Sequence, residues 1–278
     1  MKTEQIFEAW GDVLCVDSYE EFMAIDEKVL TELVLSRNLI VIRGLTPNLK
    51  DDEFYALGGK FGRVWAQDDY RKSFITHGFD PTINKKTATP ISYFKTTNNM
   101  FKDSYMGYHA DMAHINEMSY PGRALYMVNN TTDGSGDTTW LNLEHGWAQT
   151  SQEERDMYAR YEVVFQDFYA PGARMEKFPF TKTNPQTGKV SPRINCFSRN
   201  DDQRAWISHV VENGIDLNFD QSGTVIRNVY KLLESKQDTV YRHVWIPGDI
   251  IVYDNWFNVH KREKVNGPRL LKRLTFNF

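Results

Sequence analysis

A histidine and an aspartate stand two residues apart in Tyr108-His109-Ala110-Asp111, and a second histidine, His260, comes near the far end of the chain. In an extended strand, residues i and i+2 point to the same face, so His109 and Asp111 can hold one metal ion together. If His260 completes the set from a neighbouring strand, the two halves of the chain must lie side by side. Strands in both halves, with ligands drawn from both, argue for one closed domain.

The punctuation around these residues fits that demand. From residue 91 to 139 short strand-like stretches alternate with turn residues, Asn98-Asn99, Pro121-Gly122 and Asp133-Gly134-Ser135-Gly136. The run Leu39-Ile40-Val41-Ile42-Arg43-Gly44 reads as a buried strand closed by glycine. Further strands are expected over 241–245, 250–253 and 270–278. Between the first two, Pro247-Gly248-Asp249 makes a turn, and the strand after it delivers Asp254-Asn255 to a corner just before His260. Apolar residues at helical spacing predict helices over 18–37, 51–61 and 224–235, and 143–160 also reads as helical. Residues 165–200 read as irregular, and a long excursion of that kind is usually a lid or binding loop. The expectation is a single domain over 1–278, mainly β with flanking helices, carrying a lid or insert at about 165–235.

Composition narrows the class. With 41% hydrophobic and 25% charged residues the chain is an ordinary globular one. A net charge of −4 gives no basis for a nucleic-acid surface. No apolar run approaches the roughly 18–20 residues of a membrane span. Cys15 and Cys196 are the only cysteines, too few for a disulfide framework and without zinc spacing. The reducing cytoplasm is the expected compartment. No nucleic-acid or membrane partner is expected, and a homo-oligomer is left open.

Two imidazoles and one carboxylate on one face of an ion, with the other face open, suit non-haem Fe(II) and oxygen chemistry. Arg269 and Arg273 are four apart, so a regular strand would turn both to one face. A buried arginine needs an anion, and its planar fork matches a carboxylate, as a dicarboxylate co-substrate would provide. Thr138 follows a glycine-relieved turn that can aim its hydroxyl at such a group. On these residues alone, a cupin-like metalloenzyme without a keto acid and a non-catalytic ligand-binding jelly-roll also stand.

The order and spacing of Ile40–Leu45, Lys60-Phe61-Gly62, His109-x-Asp111, Gly136-Asp137-Thr138, Pro247-Gly248-Asp249, Asp254-Asn255, His260 and Arg269-x-x-x-Arg273 resemble the taurine dioxygenase-like family of Fe(II)- and 2-oxoglutarate-dependent oxygenases. The resemblance implies a double-stranded β-helix, or jelly-roll, core. It implies iron on His109, Asp111 and His260, with 2-oxoglutarate and O₂ as co-substrates. It also implies Arg273 clamping the distal carboxylate of 2-oxoglutarate with help from Thr138, and Arg269 near the co-substrate or an acidic group of the substrate. Retention of Asp111 points away from halogenation, which in related enzymes needs a small residue there. The implied reaction hydroxylates, desaturates or oxidatively rearranges a small molecule, anionic or amino-acid-like, and releases succinate and CO₂. Tyr93, Lys95, Asn98, Tyr105 and Tyr108, with Trp256, flank the metal ligands and are the expected substrate contacts. Trp256 departs from the pattern, since many relatives carry arginine after the Asp-Asn corner.

Overall fold

The computed structural model describes residues 2–66, 91–95, 106–111, 122–166, 175–184, 187–195, 197 and 207–278. Its chain is mainly β with flanking helices. The strands are β1 (Lys2–Gln5), β2 (Asp12–Cys15), β3 (Leu39–Arg43), β4 (Arg63–Val64), β5 (Ser92–Lys95), β6 (Met106–His109), β7 (Gly122–Asn129) and β8 (Thr138–Asn142). They continue with β9 (Tyr161–Gln166), β10 (Met175–Pro179), β11 (Thr181–Thr183), β12 (Val190–Pro192), β13 (Ile207–Glu212), β14 (Ile215–Asp216), β15 (Val240–His243), β16 (Ile250–Asp254), β17 (Asn258–Arg262) and β18 (Leu270–Asn277). An eight-stranded sheet runs β1-β2-β3-β16-β7-β18-β4, with β5 also on β18, and a four-stranded sheet runs β15-β8-β17-β6.

These two sheets pack face to face. Leu39, Val41, Leu125, Met127, Ile251, Tyr253 and Leu271 of the large sheet share one core with Trp140 of the small one, and Trp140 meets Tyr253 edge-on at 4.5 Å between ring centroids. Because successive side chains alternate, Ile40, Ile42, Ala124, Tyr126, Ile250 and Val252 point to the opposite face. There they pack on Phe22, Leu30, Val34, Phe54 and Leu57 of the N-terminal helices. The small sheet does the same: Leu141 and Val259 turn outward onto a third cluster with Trp147, Ile226 and Val229. Burial on both faces explains why β3 and β16 read as unbroken apolar runs rather than alternating ones.

Local chemistry corrects several expected boundaries. The helix expected over 18–37 is two, α1 (Tyr19–Ala24) and α2 (Glu27–Arg37), because Asp26 caps α2 by accepting from the Lys28 amide while Ile25 is extended. The helix α3 is Asp51–Gly59. Residues 143–160 likewise split into α4 (Leu143–Ala148) and α5 (Gln152–Ala159), the second opened by a capping box between Ser151 and Glu154. Helix α6 (Phe219–Glu234) starts earlier than expected, at an Asn218–Gln221 capping box. The segment expected to be irregular holds strands: β10 extends the sheet β10-β9-β13-β14, and β11 pairs β12. Among the described residues, no helix is long and apolar enough to cross a membrane.

Candidate metal centre

Strand pairing builds the site. His260 on β17 lies directly opposite His109 on β6 and, on its other side, opposite Trp140 on β8. The alternation that turns Leu141 and Val259 outward turns His260, Trp140 and His109 into the space between the sheets. One ligand atom from each of His109, Asp111 and His260 lies within 4.8 Å of the others. His109 donates its Nδ1–H to the Gly107 carbonyl at 2.9 Å, a bond that fixes the tautomer and leaves Nε2 as the ligand nitrogen. The His260 ring is held against Trp140, 4.8 Å between centroids.

Asp111 is held from two directions. The Asn255 side chain accepts from the Asp111 amide at 3.1 Å and donates to the Asp111 carbonyl at 2.8 Å. Its carboxylate receives Arg273 at 2.9 Å, the Tyr253 hydroxyl at 3.3 Å and Arg123 at 3.8 Å. Burial pushes this carboxyl up, but the cationic groups around it, Arg273 foremost, outweigh burial and hold it well below the usual carboxylate range. Burial, with His109 beside it, pushes His260 down to about 3, and burial lowers His109 too. The result is two neutral imidazoles and an ionised carboxylate, the protonation states that metal ligation requires.

A second end of the same space lies along β8. Thr138 sits two residues before Trp140 and on the same face, and its hydroxyl accepts the indole N–H of Trp245 at 2.9 Å. Arg269 donates to the Gly136 carbonyl, two residues from Thr138. Arg269 and Arg273 reach different ends of the site. Arg269 precedes β18, and the register of β18 on β7 shifts between Leu270 and Leu271. Arg273 is therefore found at Asp111 and Arg269 at Gly136.

The expected substrate contacts are placed differently as well. Tyr108 is on the opposite face from His109, as adjacent strand residues must be. Its ring stacks on Tyr230 at 5.3 Å, with the Lys261 ammonium 4.8 Å from it. Tyr93 pairs with Lys272, is 43% exposed and donates to Asp51 on the outside of the large sheet. Lys95 is exposed. Phe94, between them, packs against the inter-sheet core, with the Arg273 guanidinium 4.8 Å from its ring centroid. Trp256 is buried, with the Lys182 ammonium 4.4 Å from its ring. Asn98 and Tyr105 lie outside the described residues. Sequence reasoning missed Arg123, Tyr253, Asn255, Trp245 and Asn195, whose amide donates to the Ala110 carbonyl at 3.2 Å. For Asn255 a signal existed, the Asp-Asn corner before His260; for Asn195, none did.

Two imidazoles and a carboxylate, with Arg273 and Arg123 beside the carboxylate, form a ligand set that could hold one metal ion and that suits oxygen chemistry. The model of the taurine catabolism dioxygenase TauD, TfdA family matches residues 2–275, and the chain belongs to that family. It is a 2-oxoglutarate-dependent non-haem iron oxygenase that acts on a small molecule. Pentalenolactone F synthase of Streptomyces arenae is 24% identical over 247 residues, covering 81% of this chain and 77% of that protein. Among solved structures, an alpha-ketoglutarate-dependent taurine dioxygenase from Burkholderia xenovorans superposes with a TM-score of 0.70 at 14% identity, covering 99% of this chain and 92% of the other. PvcB from Pseudomonas aeruginosa gives a TM-score of 0.69 at 17% identity, covering 96% and 86%.

Proposed function

We propose that the chain oxidises a C–H bond of a small acidic or amino-acid-like molecule, by hydroxylation, desaturation or oxidative rearrangement, and couples this to conversion of 2-oxoglutarate and O₂ into succinate and CO₂. The observation that carries the reading is the inward-facing trio His109, Asp111 and His260, with ligand atoms within 4.8 Å of one another, beside buried arginines. Iron held there supplies the oxygen activation. The chain's own residues set the geometry around it. Gly107 and Asn255 fix the orientation of His109 and Asp111, and Trp140 fixes that of His260.

For the co-substrate, the roles expected of the two arginines are exchanged: with Arg273 at Asp111 and Arg269 at Gly136, Arg269 and Thr138 receive the distal carboxylate, while Arg273 serves the metal-proximal end. The Trp245 N–H occupies a lone pair of Thr138 and so leaves its hydroxyl proton for a carboxylate. Arg273, at Asp111, is then positioned for the near carboxylate of the co-substrate or for an acidic group of the substrate. The two facing sheets support a jelly-roll core formed by one domain, and Asn195 on Ala110 supports an insert over 165–235 that closes on the metal loop. With Lys95 and Tyr93 turned to solvent, selection of an acidic substrate falls to Arg273. The two-cysteine composition and the absence of a spanning helix among the described residues support a cytoplasmic enzyme. The test is release of labelled CO₂ from C1-labelled 2-oxoglutarate. Release should require Fe(II) and disappear in His260→Ala; release undiminished in that variant refutes the assignment.

A further inference from the structure

The hairpin β11–β12 buries a lysine that neither the metal centre nor the co-substrate uses. Lys182 lies directly opposite Ser191 across the hairpin, so the two side chains share one face. Pairing continues past the end of β12, where the Arg193 amide donates to the Phe180 carbonyl at 2.6 Å. Arg193 is two residues beyond Ser191 and so extends the same face. Its guanidinium lies 4.5 Å from the Phe178 ring centroid. The corner after β16 covers this face, with the Lys182 nitrogen 4.4 Å from the Trp256 ring centroid. Lys182 is only 7% exposed.

Two groups here are left without partners. Lys182 makes no hydrogen bond among the described residues, and no carboxylate stands within ion-pair distance of its nitrogen. The Ser191 hydroxyl is fully buried and has no hydrogen-bond partner either. Asp254 belongs to the same corner, but its carboxylate accepts from the Trp256 amide at 2.8 Å, and burial pushes it up to about 6. Burial, then Arg193, lowers Lys182 to about 7, so near neutrality much of it is a free amine. Leaving an amine and a hydroxyl buried and unpaired is costly. A group that relieves this cost must be small and uncharged to enter, must combine with an amine, and must then offer an anion to Arg193 and an acceptor to Ser191. Carbon dioxide meets all three demands.

We propose that Lys182 is a carbamylation site, where Nζ takes up CO₂ as a carbamate whose carboxylate is held by the Ser191 hydroxyl and the Arg193 guanidinium. The Nζ lone pair forms the new N–C bond, one C=O π pair moves onto oxygen, and one N–H proton leaves to solvent. Amine and CO₂ thus give a carbamate anion and a proton, with nothing oxidised or reduced. The step needs dissolved CO₂ alone, so it holds whether or not the 2-oxoglutarate reading does. At neutral pH an exposed lysine is almost wholly protonated, and the free-amine fraction at Lys182 exceeds its by roughly 100-fold or more.

The test is chemical trapping on the folded full chain. Protein equilibrated near neutral pH with isotope-labelled bicarbonate is treated with triethyloxonium, which esterifies a carbamate and makes it permanent, then digested and mapped by mass spectrometry. The labelled ester should sit on the Lys182 peptide, exceed that at any exposed lysine by roughly tenfold or more, and vanish when the protein is unfolded in urea before labelling. Ser191→Ala should raise the bicarbonate needed for half-labelling roughly 3- to 10-fold, and Lys182→Arg should abolish the signal. No label at Lys182 in folded wild type, labelling no greater than at exposed lysines, or labelling that survives unfolding overturns the proposal. An unchanged half-labelling point in Ser191→Ala overturns the role given to that hydroxyl. Should a variant fail to fold, the wild-type peptide map still decides.

Discussion

Asn255 offers the sharpest single perturbation. It is fully buried and spends its whole amide on the main chain of Asp111, accepting from the N–H at 3.1 Å and donating to the carbonyl at 2.8 Å. Asn255→Ala removes both bonds. At about 0.5–1.5 kcal/mol net for each, plus part of the cost of leaving backbone groups of a partly buried segment unpaired, the loss is about 2–4 kcal/mol. For a chain of this size that lowers Tm by roughly 4–12 °C. The same bonds fix where the Asp111 carboxylate points, so metal affinity should fall roughly 10- to 100-fold, as for other partners that orient a ligand. Asn255→Asp keeps the acceptor and loses the donor, and should fall between. Differential scanning calorimetry and anaerobic Fe(II) titration read the two effects. Wild-type metal affinity in Asn255→Ala, with an unchanged Tm, would refute the claim that this residue positions Asp111.

Three further outcomes follow from particular contacts. Trp245→Phe keeps the packing but deletes the N–H given to Thr138, and should weaken 2-oxoglutarate binding by roughly 3- to 10-fold with Fe(II) binding unchanged; unaltered calorimetric affinity would contradict this. Gly136→Ala puts a side chain at φ +92° and against Arg269 and Val265, so it should cost about 1–3 kcal/mol of stability and lower 2-oxoglutarate affinity, both measurable on one preparation. Burial, then Arg193, lowers Lys182 to about 7 from 10.5. Between those values the unfolded chain binds more protons than the folded one, so this group makes stability rise with pH. Lys182→Met should therefore outdo wild type most near neutrality, with the gap in urea midpoint narrowing towards pH 10; a pH-independent gap would refute the assignment.

The candidate trio was legible because part of its geometry is local. A two-residue spacing on a strand and a corner before His260 are both visible in residue order. The sheet strands β3, β16 and β18 were legible for the same reason, as apolar runs bounded by turn residues. What spacing could not give was position along the site. Arg269 and Arg273 are four apart, and they reach different ends of it, Arg273 at Asp111 and Arg269 at Gly136. Tyr93, Lys95 and Tyr108 were chosen for proximity in sequence to His109, and strand alternation puts Tyr108 on the wrong face. The breaks at Ile25 and between α4 and α5 came from caps, Asp26 and Ser151, that compete with helix continuation.

The central claim is that His109, Asp111 and His260 hold iron in a site that also chelates 2-oxoglutarate. Oxygen-free mixing of the protein with Fe(II) and 2-oxoglutarate tests it directly, since chelation of a keto acid to ferrous iron gives a weak visible charge-transfer band. That band is expected in wild type and should be lost in Asp111→Ala and in His260→Ala. A folded wild-type protein that binds Fe(II) and 2-oxoglutarate without the band, or variants that retain it, would contradict the account.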